Sequence, residues 1–101
     1  MDTEKNRFLY KLILPWPTFT QDMTEAERKV MQEHATDGKR LMDDSIAFIF
    51  GLVLDPRGPW GVGIVDVANE SDAHALGTND PAVKAGLTFD VSPMPGALVR
   101  K

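Results

Sequence analysis

Two side chains in this sequence could move protons if the fold brings them together, those of His34 and Asp80. Histidine changes charge closer to neutral pH than any other residue type, so His34 is the best candidate for a general acid or base. Asp80 stands directly before Pro81, a pair typical of the first turn of a helix. Two structural roles stay open on the residues alone: a hydrogen-bonded packing role for His34 and plain helix capping for Asp80.

A long helix is predicted to carry His34. Thr24-Glu25-Ala26-Glu27 matches a capping box, in which the threonine and the glutamate three residues later satisfy each other's free amides. The helix is expected to run to about Asp43, and it contains Gly38, which costs about 1 kcal/mol relative to alanine and so predicts close packing or a local irregularity there. One apolar stripe at helical spacing comprises Val30, Met31, His34, Ala35, Leu41 and Met42.

Four β-prone segments accompany this helix. Strands are predicted at about residues 7–14, 45–54, 60–67 and 88–94, with a loop at 16–22 and a hairpin turn at 55–59. A short helix capped by Asn69 or Ser71 runs through Leu76. A single helical turn then restarts at 79–81 and is closed by Gly86.

The order of these elements is β-α-β-β-α-β. It predicts an α+β, ferredoxin-like sandwich of four antiparallel strands with both helices on one face. In this topology the first helix starts and the second ends at the same edge of the sheet, so His34 and Asp80 can approach each other. A carboxylate placed there would orient the imidazole and favour its charged form. The 101 residues are expected to form one domain.

The second predicted strand is apolar on both faces. Its alternating sets are Ile46, Phe48, Phe50, Leu52 and Leu54 on one side and Ala47, Ile49, Gly51 and Val53 on the other. Only one set can meet the helices, so the other needs a cover. A second copy of the chain is the favoured cover, with Phe48 or Phe50 near the centre of a homodimer interface. The alternative is a cover formed by the loop at 15–22 and the C-terminal tail.

Composition excludes several functions. The chain has 11 basic and 15 acidic residues, a formal net charge of −4, and its scattered basic residues do not favour nucleic-acid binding. It has no cysteine, hence no disulfide, thiolate metal site or cysteine nucleophile. With two histidines in no shared motif and no phosphate loop, we expect no metal, flavin or nicotinamide cofactor. With no signal peptide or membrane-spanning run, we expect a cytoplasmic protein that does not contact membranes.

Several segments of the chain together resemble the YCII-related (YciI-like) family, over about residues 8–98. They are Phe8 to Leu12, Met23 to Glu27, Met31 to His34, Phe50-Gly51, Val53 to Pro56, Trp60 to Gly63 and Asn79 to Leu87. The resemblance implies a dimeric α/β barrel of ferredoxin-like subunits. It also implies that His34 and Asp80 correspond to a pair proposed as catalytic in that family, whose members include a dehalogenating enzyme of chloroaromatic breakdown. The chain departs from many relatives at Asp37-Gly38 and at Leu52.

The residues and the resemblance lead to two hypotheses. The first is a cofactor-independent enzyme for a small aromatic or carbonyl-containing metabolite, with lyase, dehalogenase or isomerase-like chemistry, His34 as acid and base and Asp80 as its orienting group. The second is a dimeric module that binds a small ligand without turnover. Under both, the candidate pocket residues are Tyr10, Phe50, Gly51 and Trp16. Trp16 has the further alternatives of a dimer contact or simple edge packing.

Overall fold

Aromatic and β-branched residues form the strands, and the longer helices begin where a polar side chain caps them. The computed structural model of the protein describes residues 6–100. Its strands are β1 (Asn6–Ile13), β2 (Ala47–Val53), β3 (Trp60–Val67) and β4 (Thr88–Pro93), and its helices are α1 (Phe19–Asp22), α2 (Glu25–Asp43), α3 (Glu70–Thr78) and α4 (Pro81–Lys84). Within residues 6–100, no helix has the length and hydrophobicity needed to span a bilayer.

The four strands form one antiparallel sheet in the order β2-β3-β1-β4. Phe8, Tyr10 and Leu12 of β1 are buried on the same side, which we call the inner face, and the opposite side is the outer face. Phe8 packs in one core cluster with Leu41 of α2 and Ala73 of α3, so both long helices cover the inner face. The protein is therefore a small α+β fold, and its strand order is consistent with the ferredoxin-like arrangement.

Both ends of α2 are closed by local hydrogen bonds. The capping box is confirmed: Glu27 N–H donates to Thr24 Oγ1 at 3.1 Å, and Thr24 N–H donates to Glu27 Oε1 at 2.8 Å. At the other end, Ser45 has a φ of 62° and Ile46 N–H donates to the carbonyl of Leu41 at 2.8 Å. This left-handed residue ends the helix, and β2 therefore starts at residue 47 instead of 45.

The buried stripe of α2 is narrower than its sequence indicates. His34 and Leu41 are buried with Gly38 between them. Met42 is 45% exposed and Ala35 is exposed, so the prediction was wrong for these two residues. Met42 lies about 100° around the helix from Leu41, beyond the single row of residues that meets the sheet.

A bulge in β2 changes which of its side chains face outward. The register shifts between Ala47 and Ile49, so Phe48 is an extra residue in this strand. Phe48 lies on the outer face, with the Arg7 guanidinium 5.1 Å from the centre of its ring, and Ile49 follows it there. Phe50 turns to the inner face. The prediction that placed Phe48 and Phe50 on one face was therefore wrong.

The segment predicted as a loop at 16–22 contains the short helix α1. Its residue Phe19 is only 1% exposed. Asp22 holds the segment by accepting hydrogen bonds from Trp16 Nε1 and Thr18 Oγ1, each at 2.7 Å. These two donors lower the pKa of the Asp22 carboxyl. The segment is thus a fixed structural unit, with Phe19 as its buried anchor.

Two helix glycines make room for aromatic rings of the two edge strands. A Cβ atom added at Gly38 of α2 would overlap the ring of Phe50 of β2, which confirms the close packing predicted at that glycine. A Cβ atom added at Gly77 of α3 would overlap the ring of Phe89 of β4 in the same way. The two halves of the fold therefore pack in the same way: an aromatic ring from an edge strand contacts a helix at a glycine.

This packing predicts whether a substitution at Gly38 raises or lowers the stability of the protein. Replacing Gly38 by alanine favours an isolated helix by about 1 kcal/mol. In this protein the new methyl group meets Phe50, and overpacking costs about 1–3 kcal/mol, so we expect Gly38→Ala to lower the free energy of unfolding measured in urea. In a Phe50→Leu background the same substitution should be neutral or stabilising. A gain in stability from Gly38→Ala alone would contradict the packing described.

Candidate functional site

Asp80 is a buried carboxylate at the start of α4. It is 3% exposed, and its Oδ1 accepts the backbone N–H of Ala82 at 2.9 Å, which makes it the N-cap predicted from the Asp-Pro sequence. Pro81 occupies the first turn, where its missing N–H costs nothing. Capping accounts for one hydrogen bond to this carboxylate and leaves the rest of its acceptor capacity free for other groups.

His34 uses that remaining capacity from the middle of α2. Its Nδ1 lies 2.8 Å from Oδ1 and 2.9 Å from Oδ2 of Asp80, and the ring is almost fully buried. The structure therefore brings together the two residues that the sequence placed at one edge of the sheet. The contact itself does not assign them a catalytic role.

Tyr10 is the third member of this group, and sequence reasoning missed its place. It was predicted as a pocket residue. In the structure it lies on β1, and its hydroxyl donates a hydrogen bond to Asp80 Oδ2 with an oxygen–oxygen distance of 2.7 Å. A signal was available in the sequence: Tyr10 stands between Phe8 and Leu12 on the buried side of its strand, and a buried tyrosine hydroxyl requires a partner. Asp80, His34 and Tyr10 thus join α4, α2 and β1 at one point.

The electrostatics of the group keep Asp80 ionised and Tyr10 protonated. Burial raises the pKa of the Asp80 carboxyl, but hydrogen bonds from His34, Tyr10 and Ala82 outweigh this effect and leave the pKa below its usual range. Burial, with Asp80 close by, raises the pKa of the Tyr10 hydroxyl far above its usual range. Near neutral pH, Tyr10 therefore donates this hydrogen bond and the ionised Asp80 accepts it.

These hydrogen bonds determine which nitrogen of His34 is free. An ionised carboxylate only accepts hydrogen bonds, so Nδ1 donates and carries a proton. Among the side chains of residues 6–100, no buried nitrogen or oxygen lacks a hydrogen-bond partner, and the bonds of His34 all involve Nδ1. Nε2 must therefore be accessible. In the neutral ring it presents a lone pair, and in the charged ring it presents a proton.

The His34 ring forms part of the wall of an open cavity of about 380 Å³ between the inner face, α2 and α1. Phe50 and Gly51, two of the pocket candidates, border this cavity, and the Phe50 ring lies 4.9 Å from the His34 ring, centre to centre. In the part of the chain that the structure describes, His34 is the one titratable side chain of the lining. The lining residues within 6–100 are Leu12, Leu14, Phe19, Thr20, Met23, Met31, His34, Ala35, Phe50, Gly51, Leu52 and Gly61.

Trp16, the remaining pocket candidate, does not line this cavity. Its ring packs edge-on against Phe19 at 5.2 Å, so it supports the wall from behind. Trp16 itself borders a separate cavity of about 350 Å³ with Lys11 and Trp60. The structure thus brings together His34, Asp80 and Tyr10 as one group, brings Phe50 and Gly51 to the cavity beside it, and leaves Trp16 outside.

Comparison with known proteins places the chain in a family. The family model of the YCII-related domain matches residues 12–95, and the chain therefore belongs to this family. No curated protein matches the sequence. The matched range includes His34 and Asp80. Across residues 6–100, no group of three or more histidine, aspartate or glutamate side chains is arranged to hold a metal ion.

The hydrogen bond from Tyr10 predicts a pH-dependent loss of stability in Tyr10→Phe. A hydrogen bond to a charged group contributes about 1.5–3 kcal/mol, so we expect a loss of that size at neutral pH. The pKa of Asp80 is depressed in the folded protein. Its contribution is therefore fully present above the unfolded value of about 3.9 and is lost as the pH falls through the folded value. The deficit of the variant should accordingly shrink in acid.

The same variant has a direct spectroscopic measurement. In carboxyl ¹³C NMR titrations, the pKa of Asp80 should rise toward its ordinary value when the tyrosine hydroxyl is removed. Asp55 is the internal control. Its pKa of about 2 is due chiefly to the Arg57 backbone N–H and should be the same in both proteins. An unchanged Asp80 titration would show that Tyr10 does not act on the carboxylate.

Proposed function

We propose that the protein is an acid–base enzyme for a small molecule, with His34 as the catalytic residue and with Asp80 and Tyr10 as positioning residues. One observation carries this proposal: a buried histidine lines a mostly apolar cavity while its Nδ1 is held by an ionised carboxylate, which leaves Nε2 as the nitrogen free to meet a ligand. Membership of the YCII-related family supports the choice of this site.

The arrangement supports one sequence of proton transfers. Neutral His34 accepts a proton from a C–H or O–H group of the substrate at Nε2, and Asp80 stabilises the resulting imidazolium through Nδ1. The electron pair left on the substrate either forms a new double bond, while a leaving group departs with the electron pair of its broken bond and His34 passes its proton to that group, or takes the proton back from Nε2 at another atom. The first course is a lyase or dehalogenase reaction, and the second is an isomerase reaction.

Tyr10 adds orientation to this scheme. Without it, the Asp80 carboxylate would keep the Ala82 N–H and the imidazole as its partners and could rotate about its side-chain bonds. The Tyr10 hydroxyl takes one lone-pair site of Oδ2 and fixes the plane of the carboxylate. The imidazole plane is fixed in turn, since Nδ1 lies within hydrogen-bond distance of both oxygens. Such preorganisation reduces the entropy lost on reaching the reactive geometry.

Substitution of His34 tests this function. On a substrate found by screening small aromatic and carbonyl compounds, His34→Ala should lower kcat by about 10²–10⁴-fold, the usual contribution of positioned proton transfer, while circular dichroism shows an intact fold. Asp80→Asn should reduce kcat less, because it keeps a capping side chain but loses the charge. His74→Ala removes the chain's other histidine, which is exposed on α3, and should leave kcat unchanged. Full activity of folded His34→Ala would refute the catalytic role of His34, and the absence of turnover of every compound screened would favour the ligand-binding module.

The outer face of the sheet supports the second part of the proposal, a homodimer in the form of a dimeric α/β barrel. Phe48 and Ile49 are 47% and 48% exposed there, and the bulge in β2 places both on this face. Leu9, Val62 and Ile64 of the two central strands alternate with buried residues and extend the same apolar surface. A second copy that covers this face with its own outer face would bury both surfaces in one symmetric interface.

Charge placed on the outer face tests the dimer. Ile49→Lys would bury an ammonium group at a symmetric interface without a partner, so we expect dissociation or unfolding in light scattering and urea melts at micromolar concentration. Met42→Lys is the matched control, because Met42 has nearly the same exposure but lies on α2, where a cation near the helix end is favourable. A wild-type protein that is monomeric at this concentration would exclude the barrel.

A further inference from the structure

The lining of the His34 cavity contains information about the ligand's charge. Among residues 6–100, it includes no lysine and no arginine, and its polar side chains are those of His34 and Thr20. Behind His34 lies Asp80, which is buried and ionised. When the imidazole is neutral, the nearest fixed charge is therefore negative. When it is protonated, the His34 and Asp80 pair has no net charge. In neither state does the wall present a net positive charge to an anion.

The rest of the lining is suited to an apolar ring. Leucine, methionine and phenylalanine side chains make up most of the wall, and the Phe50 ring beside His34 is tilted by 39° to the imidazole. A planar aromatic ligand can pack against the Phe50 ring, since aromatic rings favour offset or tilted contacts with each other. In that position its polar group can reach Nε2 of His34. Apolar pockets with one or two placed polar groups are the usual form of small-molecule sites.

Two residues separate this cavity from a second one. Phe19 and Met31 line the His34 cavity and also a smaller cavity of about 160 Å³ beside Ala26, Val30 and Leu87. Phe19 is fixed, since it is 1% exposed and belongs to the segment held by Asp22. Met31 is half-buried and has a flexible, unbranched side chain. Met31 is therefore the residue whose truncation would join the two cavities with the smaller disturbance.

From these observations we infer that the site selects an uncharged, largely aromatic molecule with one hydrogen-bonding group, and that Met31 limits the length of that molecule. The inference deepens the proposed function by naming its substrate class, and it rests on that function for the use of the site. A carboxylate ligand would lose its hydration in the cavity and gain no cationic partner. A ligand of the same shape with a neutral amide or hydroxyl group would lose much less hydration free energy on entering the cavity.

Benzamide and benzoate test the charge selection on the wild-type protein, because they have nearly the same shape and differ in charge at neutral pH. We expect benzamide to bind with a dissociation constant of about a millimolar, as its size allows, and to shift the His34 ring signals in NMR spectra. Benzoate should bind at least about tenfold more weakly. Equal or tighter binding of benzoate, or the absence of His34 shifts with both probes, would overturn the inference.

Biphenyl-4-carboxamide tests the role of Met31. Met31→Ala should raise its affinity relative to that of benzamide by about tenfold, because the added ring enters the joined cavity and buries its apolar surface there. Met31→Leu keeps a side chain of similar volume and should leave the ratio unchanged. A wild-type ratio in a folded Met31→Ala protein, checked by its NMR spectrum, would refute the length limit.

These results are separable from those for the proposed function. Selective benzamide binding in a protein whose turnover is unaffected by His34→Ala would support the ligand class and refute the catalytic role. Tight benzoate binding in a protein whose turnover requires His34 would refute the ligand class and support the catalytic role.

Discussion

The hydrogen bonds accepted by the ionised carboxylate of Asp80 are the interactions on which the rest of the site depends. This carboxylate is buried, and an isolated charge in that position would be costly, so its presence requires donors on every side. The fold provides them from three elements: the N–H of Ala82 from α4, the hydroxyl of Tyr10 from β1 and Nδ1 of His34 from α2. Each donor satisfies Asp80, and Asp80 in return fixes the orientation of the imidazole. The carboxylate that caps α4 is thus the same group that orients the imidazole.

The position of His34 depends on a second constraint, the approach of α2 to the sheet. Gly38 lies one turn after His34 and lacks a side chain where the Phe50 ring packs. Without that contact, the helix would stand further from β2, and the imidazole and the phenyl ring could not both border the cavity. The glycine costs some helix stability by itself, and the close packing that it permits compensates for this cost.

Much of this fold follows from local sequence signals. The capping box at Thr24, the Asp55 to Pro59 turn, the Asp80-Pro81 start of α4 and the order of the elements all depend on neighbouring residues, and the structure agrees with them. The approach of His34 to Asp80 was predicted from the topology, although His34 lies in the middle of α2 and not at the helix end on which that prediction rested.

The features that local signals did not predict depend on contacts between distant segments. The bulge at Phe48 results from how β2 pairs with β3. The alternation of residue types within β2 alone does not indicate its register with β3. The hydrogen bond of Tyr10 joins residues 70 positions apart. The exposure of Met42 depends on how much of α2 the sheet covers. Each of these requires the tertiary arrangement, which propensity and spacing do not contain.

The bulge has a consequence for the proposed ligand site and the proposed dimer. It sends Phe48 and Ile49 to the outer face and the next residue, Phe50, to the wall of the cavity, so adjacent peptide units of an edge strand belong to both surfaces. A ligand that shifts the Phe50 ring would also shift the backbone that carries Phe48 and Ile49, and would so change the surface that the proposed second copy covers. Thermodynamic linkage makes this reciprocal: whatever factor the ligand adds to association, association adds to ligand affinity. A single inserted residue would in this way make three successive side chains of β2 an allosteric connection.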